Sequence, residues 1–165
     1  PEEIDKIVIS HSHWDHIGGL NHILNYTKNS DVYVPKSISN NLKNEIKNHA
    51  NIIEVSKAQK ICENIYTTGE LGKKIKEQSL IICTEKGNII LTGCAHPGLE
   101  NIIGKSREFG DIYGVIGGFH DSSIDILKEI PLVMPCHCTE KIEEIKKKML
   151  ESYQYCEAGS GYQEF

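Results

Sequence analysis

Short apolar runs alternate along this chain with segments whose apolar residues recur at helical spacing. Runs rich in β-branched residues and bounded by turn residues predict buried strands, whereas spacings of three and four predict helices. The predicted strands are 7–9, 32–34, 52–55, 61–67, 80–84, 89–92, 112–116 and 132–135, with a closing strand within 153–165. The predicted helices are 18–28, 37–47 (with an N-cap serine), 98–109, 122–129 and 139–150. Strand-then-helix alternation predicts an α/β fold with functional residues beyond the carboxyl ends of the strands.

Length and charge limit the classes of protein that this chain can represent. Its 165 residues predict a single domain, 1–165, and a net charge of −5 without a basic face argues against a nucleic-acid partner. No apolar run is long enough to span a membrane and no signal peptide is recognisable, so we expect a cytoplasmic protein without a membrane partner. The six cysteines are scattered through strand-like and motif segments, which favours free thiols over disulfides.

A strand end rich in metal ligands is the most informative chemical feature. The run H-S-H-W-D-H from His11 to His16 directly follows the strand 7–9. In extended backbone, residues two apart point the same way, so His11 and His13 can chelate one ion together. Asp15 and His16 lie where the chain must turn and can face a second ion. Since imidazole and carboxylate are the usual ligands of zinc and its neighbours, the run predicts a metal site.

Further histidines follow strands farther along the chain. His96 follows the strand 89–92, His120 follows 112–116, and His137 follows 132–135. Strand ends of an α/β fold meet at one edge of the sheet, so these three side chains could converge on the loop that carries His11. The recurrence of the pattern favours ligands over surface histidines.

The run H-x-H-x-D-H resembles the metallo-β-lactamase-fold superfamily. Other segments are similar to one of its subgroups, which contains metal-dependent hydrolases and the dihydropterin–ribofuranosylaminobenzene phosphate synthases of methanopterin biosynthesis. These segments are 92–98 with 101–103, 115–120, 135–139 and 159–161. The resemblance implies an αββα sandwich in which several strands precede the ligand run. Only ten residues precede it here, so we expect either an N-terminally incomplete domain or a partner chain that completes the first sheet.

The resemblance also implies how the ligands are shared between ions. His96 would complete the site of His11 and His13, and His137 would join Asp15 and His16, which makes two neighbouring ions. Zinc is the expected metal, as one or two ions. Iron and manganese stay open because metal availability can override intrinsic affinity.

Two residues allow more than one interpretation. His120 follows Gly117-Gly118, which suits a pocket, and it could ligate a metal, line the pocket wall or donate a proton to a leaving group; we favour the proton donor. Cys94 stands where many superfamily members have an aspartate that bridges both metals. A thiolate could coordinate there, but we favour a buried cysteine that packs as a small apolar residue.

These features predict a metal-dependent hydrolase in which a metal-bound hydroxide attacks an ester or phosphoester of a small, anionic substrate. Asp15 would hold the second ion and orient the hydroxide. One alternative is a transferase like the dihydropterin synthases, which would join two substrates with loss of diphosphate. The other is a non-catalytic metal-binding or redox-sensing module, which Cys94 would suit.

Overall fold

Two β-sheets packed face to face form the centre of the fold in a computed structural model that describes residues 4–27, 29–157 and 159. The first sheet is parallel, and its strands are β1 (Lys6–Val8), β2 (Asp31–Pro35) and β3 (Asn51–Val55). The strands of the second sheet lie in chain order: β4 (Gln59–Cys62), β5 (Ile65–Thr67), β6 (Leu80–Thr84), β7 (Gly87–Thr92), β8 (Ile112–Gly118) and β9 (Leu132–Cys136). Strands β4 to β7 pair antiparallel, and β7, β8 and β9 pair parallel.

Helices cover the outer faces of both sheets. After the short helix α1 (Trp14–Ile17), which has no fully buried residue, these covering helices are α2 (Leu20–Tyr26), α3 (Asn40–Lys47), α4 (Leu99–Ser106) and α5 (Ile142–Lys148). Val32 and Val34 of β2 face α2 and α3, while Tyr33 between them faces the second sheet, as the period of two along a strand requires. On the far side, α4 and α5 cover Val115 and Val133 of the second sheet. The predicted αββα sandwich is therefore confirmed.

A buried glutamine ties the two sheets together next to the first strand. The side-chain amide of Gln78 donates to the backbone carbonyls of Ile9 (2.8 Å) and Tyr33 (3.2 Å), and its oxygen accepts from the Thr67 hydroxyl at 2.7 Å. Its backbone N–H donates to the carbonyl of Ser10 at 3.0 Å. These bonds fix the exit of β1, from which the ligand run continues, relative to the second sheet.

Several predicted elements differ in the structure. The prediction of a single strand over 61–67 was wrong. Asn64 adopts a left-handed φ of 60° and turns the chain into the hairpin of β4 and β5. The prediction of a helix over 122–129 was also wrong. Only a 3₁₀ turn, Asp125–Leu127, forms there, since Ile124, Leu127 and Ile130 are buried at the spacing of three that suits a 3₁₀ helix.

Smaller differences concern where elements begin and end. The helix predicted over 18–28 corresponds to α2, which begins after Gly18-Gly19. Helix α3 begins at Asn40 because Ser39 is its N-cap, accepting from the Leu42 N–H at 3.3 Å. Of the closing strand within 153–165, the described residues show a single bridge between Tyr153 and Val133, while residues 158 and 160–165 lie outside the described part of the chain. Among the described residues, no helix has the length and apolar character needed to cross a bilayer.

Candidate metal centre

Loops that follow four strands, one from the first sheet and three from the second, meet at one edge of the sandwich. The run from His11 to His16 leaves β1 and forms α1, with His13 as the extended N-cap residue of that short helix. The loops that carry His96, His120 and His137 follow β7, β8 and β9. Because all four strands present their carboxyl ends here, side chains distant in sequence become neighbours.

A first group of ligand atoms comes from His11, His13 and His96. The His13 Nδ1 atom lies 3.0 Å from His11 Nε2 and 3.2 Å from His96 Nε2. Zinc–imidazole bonds of about 2.0–2.1 Å place tetrahedral ligand atoms ~3.3 Å apart. The three nitrogens therefore converge at the spacing that a single divalent ion requires, and all three lie within 4.8 Å of one another.

A second group comes from Asp15, His16 and His137. The His137 Nε2 atom lies 3.2 Å from Asp15 Oδ2 and 3.1 Å from His16 Nε2. The Asp15 and His137 side chains keep 34% and 41% of their surface exposed, so this group opens to solvent. The His11 and His16 rings, whose centroids are 4.2 Å apart, join the two groups into one centre.

Cys94 lies beside this second group. Its Sγ atom is 3.1 Å from His16 Nε2, and it can form ligand groups with His11 and His16 or with His137 and Cys138. Burial, together with a hydrogen bond to the Cys138 thiol, raises the pKa of the Cys94 thiol above its usual range. Cys94 is thus a protonated, buried thiol in the metal-free chain, yet its sulfur lies within reach of an ion that could displace the proton.

His120 lies at the rim rather than among the ligand atoms of either group. Its ring centroid is 5.1 Å from that of His96, and 40% of its side chain is exposed. The Nδ1 atom faces the carboxylates of Asp121 at 3.4 Å and Glu140 at 3.8 Å. This position suits a group that exchanges protons with a bound molecule and with solvent.

Burial favours the neutral form of three ligand histidines, His11, His16 and His96. Burial, reinforced by the charges of His16, His96 and His13, lowers the pKa of His11 from 6.5 to about 3. Burial likewise lowers the pKa values of His16 and His96. Desolvation on its own would raise the pKa of Asp15, but the hydrogen bond to its own backbone N–H and the nearby imidazoles outweigh it, so this pKa is lowered. Neutral imidazoles and an ionised carboxylate are the forms that bind a metal.

The backbone of the site loops is strained. Ala95, His120 and His137 adopt φ values of 56°, 48° and 52°, in a region that residues with a side chain rarely occupy. Each of the three lies in a loop directly after β7, β8 or β9. Such strain persists only where the surrounding structure enforces it, and it clusters at functional sites.

Glu77 is a site residue that the sequence reasoning missed. It is fully buried beside the first group, and its carboxylate accepts hydrogen bonds from the consecutive backbone N–H groups of residues 93–96. The segment before β6 reads as a polar loop, K-K-I-K-E-Q. A glutamate buried by a loop distant in sequence leaves no local pattern that would distinguish it from an exposed one.

The donor set fits one or two divalent ions, since imidazole nitrogens, a carboxylate and a thiol are ligands of zinc and related metals. All six predicted ligands lie in one centre: His11, His13, Asp15, His16, His96 and His137. His120 borders it. Ser160 and Gly161 of the segment 159–161 lie outside the described residues.

Comparison with known protein families agrees with this geometry. Residues 1–72 match the family model described as the metallo-beta-lactamase superfamily. An uncharacterised protein of Methanocaldococcus jannaschii is 26% identical over 200 residues, covering 96% of this chain and 78% of the relative. The 7,8-dihydropterin-6-methyl-4-(beta-D-ribofuranosyl)-aminobenzene-5'-phosphate synthase of the same organism is 27% identical over 198 residues, covering 84% of this chain and 67% of the relative.

Solved structures extend the similarity to three dimensions. The crystal structure of Tm1679, a metal-dependent hydrolase of the beta-lactamase superfamily, superimposes with a TM-score of 0.74 at 26% identity, covering 94% of this chain and 78% of that one. The metallo-beta-lactamase fold protein YhfI from Bacillus subtilis superimposes with a TM-score of 0.68 at 14% identity, covering 94% and 76%. The second similarity concerns the fold alone.

Proposed function

We propose that this chain, whose residues 1–72 match the metallo-beta-lactamase superfamily model, is a metal-dependent hydrolase that cleaves an ester or phosphoester bond. One observation carries the proposal: two groups of three ligand atoms, His11-His13-His96 and Asp15-His16-His137, lie side by side at the open edge of the sandwich. A site that only stabilises the fold is usually closed by four protein ligands, whereas a catalytic site leaves a coordination position open.

The protein residues have separate tasks in this reaction. Ions bound by the two groups would supply an activated water and polarise the carbonyl or phosphoryl oxygen that is attacked. Asp15 is the single carboxylate among the six predicted ligands, and it would hold the second ion and orient the activated water. His120, half-exposed next to His96, would donate a proton to the leaving group.

Charge balance supports an anionic substrate. Two divalent ions would face the carboxylate of Asp15 and the buried carboxylate of Glu77, and the histidines would add no charge because an imidazole binds a metal in its neutral form. About two positive charges would then remain uncompensated, or about one when Cys94 binds as a thiolate, and bound cations are usually the largest local charges in such a site. A phosphate or carboxylate group on the substrate would complete the balance.

A second candidate function is a transferase reaction on a pterin substrate. The relative in Methanocaldococcus jannaschii that is named a synthase, at 27% identity, favours it. The same centre would then bind the phosphate groups of a dihydropterin diphosphate, and diphosphate would be the leaving group.

Turnover assays with the metal-loaded chain separate these functions. We expect zinc- or manganese-loaded protein to hydrolyse bis(p-nitrophenyl) phosphate or an aliphatic lactone, and His137→Ala to reduce the rate at least tenfold. His49→Ala, which changes an exposed histidine outside the centre, is the matched control and should retain the wild-type rate.

The outcomes exclude one another. Activity on a dihydropterin diphosphate with an aminobenzene riboside phosphate, without hydrolysis of any ester, would reject the hydrolase in favour of the transferase. Metal binding without turnover of either class would reject both and leave a metal-binding or redox-sensing module.

A further inference from the structure

A buried carboxylate lies behind the first group of ligands, on the side away from solvent. The Glu77 side chain has no exposed surface. Its backbone is held in place by two hydrogen bonds with Leu71, from the Glu77 N–H at 3.1 Å and to the Glu77 carbonyl at 2.9 Å. A buried carboxylate is costly unless its charge is matched by hydrogen bonds, so its partners indicate its role.

The loop after β7 supplies these partners. Glu77 Oε1 accepts from the backbone N–H groups of Gly93 at 3.1 Å, Cys94 at 2.9 Å and Ala95 at 3.1 Å, and Oε2 accepts from that of His96 at 3.0 Å. The left-handed φ of Ala95 lets consecutive N–H groups point inward, as in a backbone nest that binds an anion. Here the anion belongs to the protein itself.

The same carboxylate faces the first ligand histidine. Glu77 Oε2 lies 3.9 Å from His11 Nδ1, the nitrogen opposite the Nε2 atom that points into the first group. The Ser10 hydroxyl lies 3.1 Å from the same Nδ1. Metal-binding histidines generally present their second nitrogen to a polar or acidic group, which fixes the tautomer and the ring orientation.

Gly93 makes this arrangement possible. A Cβ atom at this position would lie 2.8 Å from Ser10 Cβ and 3.1 Å from Glu77 Oε1. Any side chain at this position would therefore push the serine and the carboxylate away from His11. The space at Gly93 serves the packing behind the ligands rather than a turn, because its φ is not positive.

We infer that Glu77 is a positioning residue of the metal centre. Its carboxylate fixes the loop bearing Cys94 and His96 through hydrogen bonds, and its charge, together with the Ser10 hydroxyl, favours the ligating orientation of His11. This inference rests on the metal centre proposed above. It connects two ligands of the first group, His11 and His96, through one side chain that itself binds no metal. Glu77 also places a carboxylate close to the first group, whose three ligands are all histidines.

Cobalt binding by the metal-free chain tests the inference without reference to a substrate. Co²⁺ is titrated in competition with a chelator, and its visible absorption reports the coordination geometry. We expect Glu77→Gln to bind Co²⁺ about 10–100-fold more weakly than the wild type, with an altered visible spectrum. Glu77→Asp, which keeps the charge, should recover part of the affinity. Glu85→Gln, on the exposed turn between β6 and β7, is the control and should match the wild type.

The outcomes separate the positioning role of Glu77 from the existence of the metal centre. A folded Glu77→Gln whose affinity lies within twofold of the wild type, with an unchanged spectrum, would overturn the positioning role and leave the metal centre standing. A wild-type chain that binds no Co²⁺ would remove the metal centre and this inference together. Far-ultraviolet circular dichroism of the metal-free variants shows whether they fold.

A measurement on the wild type covers the case in which Glu77→Gln does not fold. In the zinc-loaded chain, ¹⁵N NMR of the imidazoles should show His11 bound through Nε2 and protonated at Nδ1. The amides of residues 93–96 should be protected from hydrogen exchange. Zinc on His11 Nδ1, or freely exchanging amides at 93–96, would overturn the inference.

Discussion

Acid should destabilise the metal-free chain through His11, and the size of the effect follows from its surroundings. The His11 side chain is fully buried, with the rings of His13, His16 and His96 packed around it. Burial, followed by the charges of these neighbours, lowers its pKa from 6.5 to about 3. The folded state therefore keeps this imidazole neutral, while the unfolded chain takes up a proton below its pKa of 6.5.

The sign of the effect follows from proton linkage. Between pH 6.5 and about 3 the unfolded chain binds more protons at His11 than the folded chain does, so the free energy of unfolding falls as the pH falls. The slope is about 1.4 kcal/mol per pH unit. Between pH 8 and pH 5 the loss that arises from His11 alone is about 2 kcal/mol, a considerable part of the stability of a small domain.

Urea unfolding of the chelator-treated chain at pH 8 and pH 5 measures this loss. We expect His11→Gln to lose about 2 kcal/mol less between the two pH values than the wild type does, because glutamine has no proton to bind. His49→Gln replaces an exposed histidine and should lose as much as the wild type. The same loss in His11→Gln and the wild type would refute the assignment of acid sensitivity to His11.

Four further predictions concern packing and the metal. Gln78→Leu leaves the Ile9 carbonyl without its Gln78 donor and the Thr67 hydroxyl without its Gln78 acceptor, and it should lower the free energy of unfolding by at least about 2 kcal/mol in urea titrations; a loss well below that value would contradict the role of Gln78 between the sheets. Leu99→Ala should cost about 2–5 kcal/mol, seen as a lower melting temperature, and an unchanged value would mean that α4 does not pack as described. Cys94→Ser should abolish a near-ultraviolet sulfur-to-cobalt band of the Co²⁺-loaded chain, whereas a band that persists would assign the sulfur ligand elsewhere. Zinc at about a hundred times its Kd should stabilise the chain by about 2.7 kcal/mol, measured as a thermal shift that a chelator reverses; no shift would speak against binding to the folded state.

The ligand residues and their positions at strand ends could be predicted from the sequence, because both depend on residues only a few positions apart. The spacing of His11 and His13 after a strand places both on one side of an extended segment. The position of His137 after β9 follows from a short apolar run that ends at a predictable point. Strand-and-helix alternation in the second half likewise depends on local hydrophobic patterns, and it predicted the strands on which these loops are built.

Local hydrophobic patterns did not predict two other segments correctly. Ile61 to Thr67 has the apolar content of one strand, and the left-handed backbone of Asn64 decides that it forms two. The segment 122–129 has helical composition, but the burial of Ile124, Leu127 and Ile130 against the second sheet selects a 3₁₀ turn. In 122–129, contacts with distant residues override the local preference, whereas in 61–67 a single turn residue divides the strand.

The sequence by itself determined which side chains can bind a metal and at which strand ends they lie, because both depend on residues only a few positions apart. Only the tertiary structure decided that His13 meets His96, 83 positions away, and that Glu77 is buried behind them. Burial and convergence arise when separate strands pack into one sandwich, and no local pattern along the chain encodes which loops then face each other.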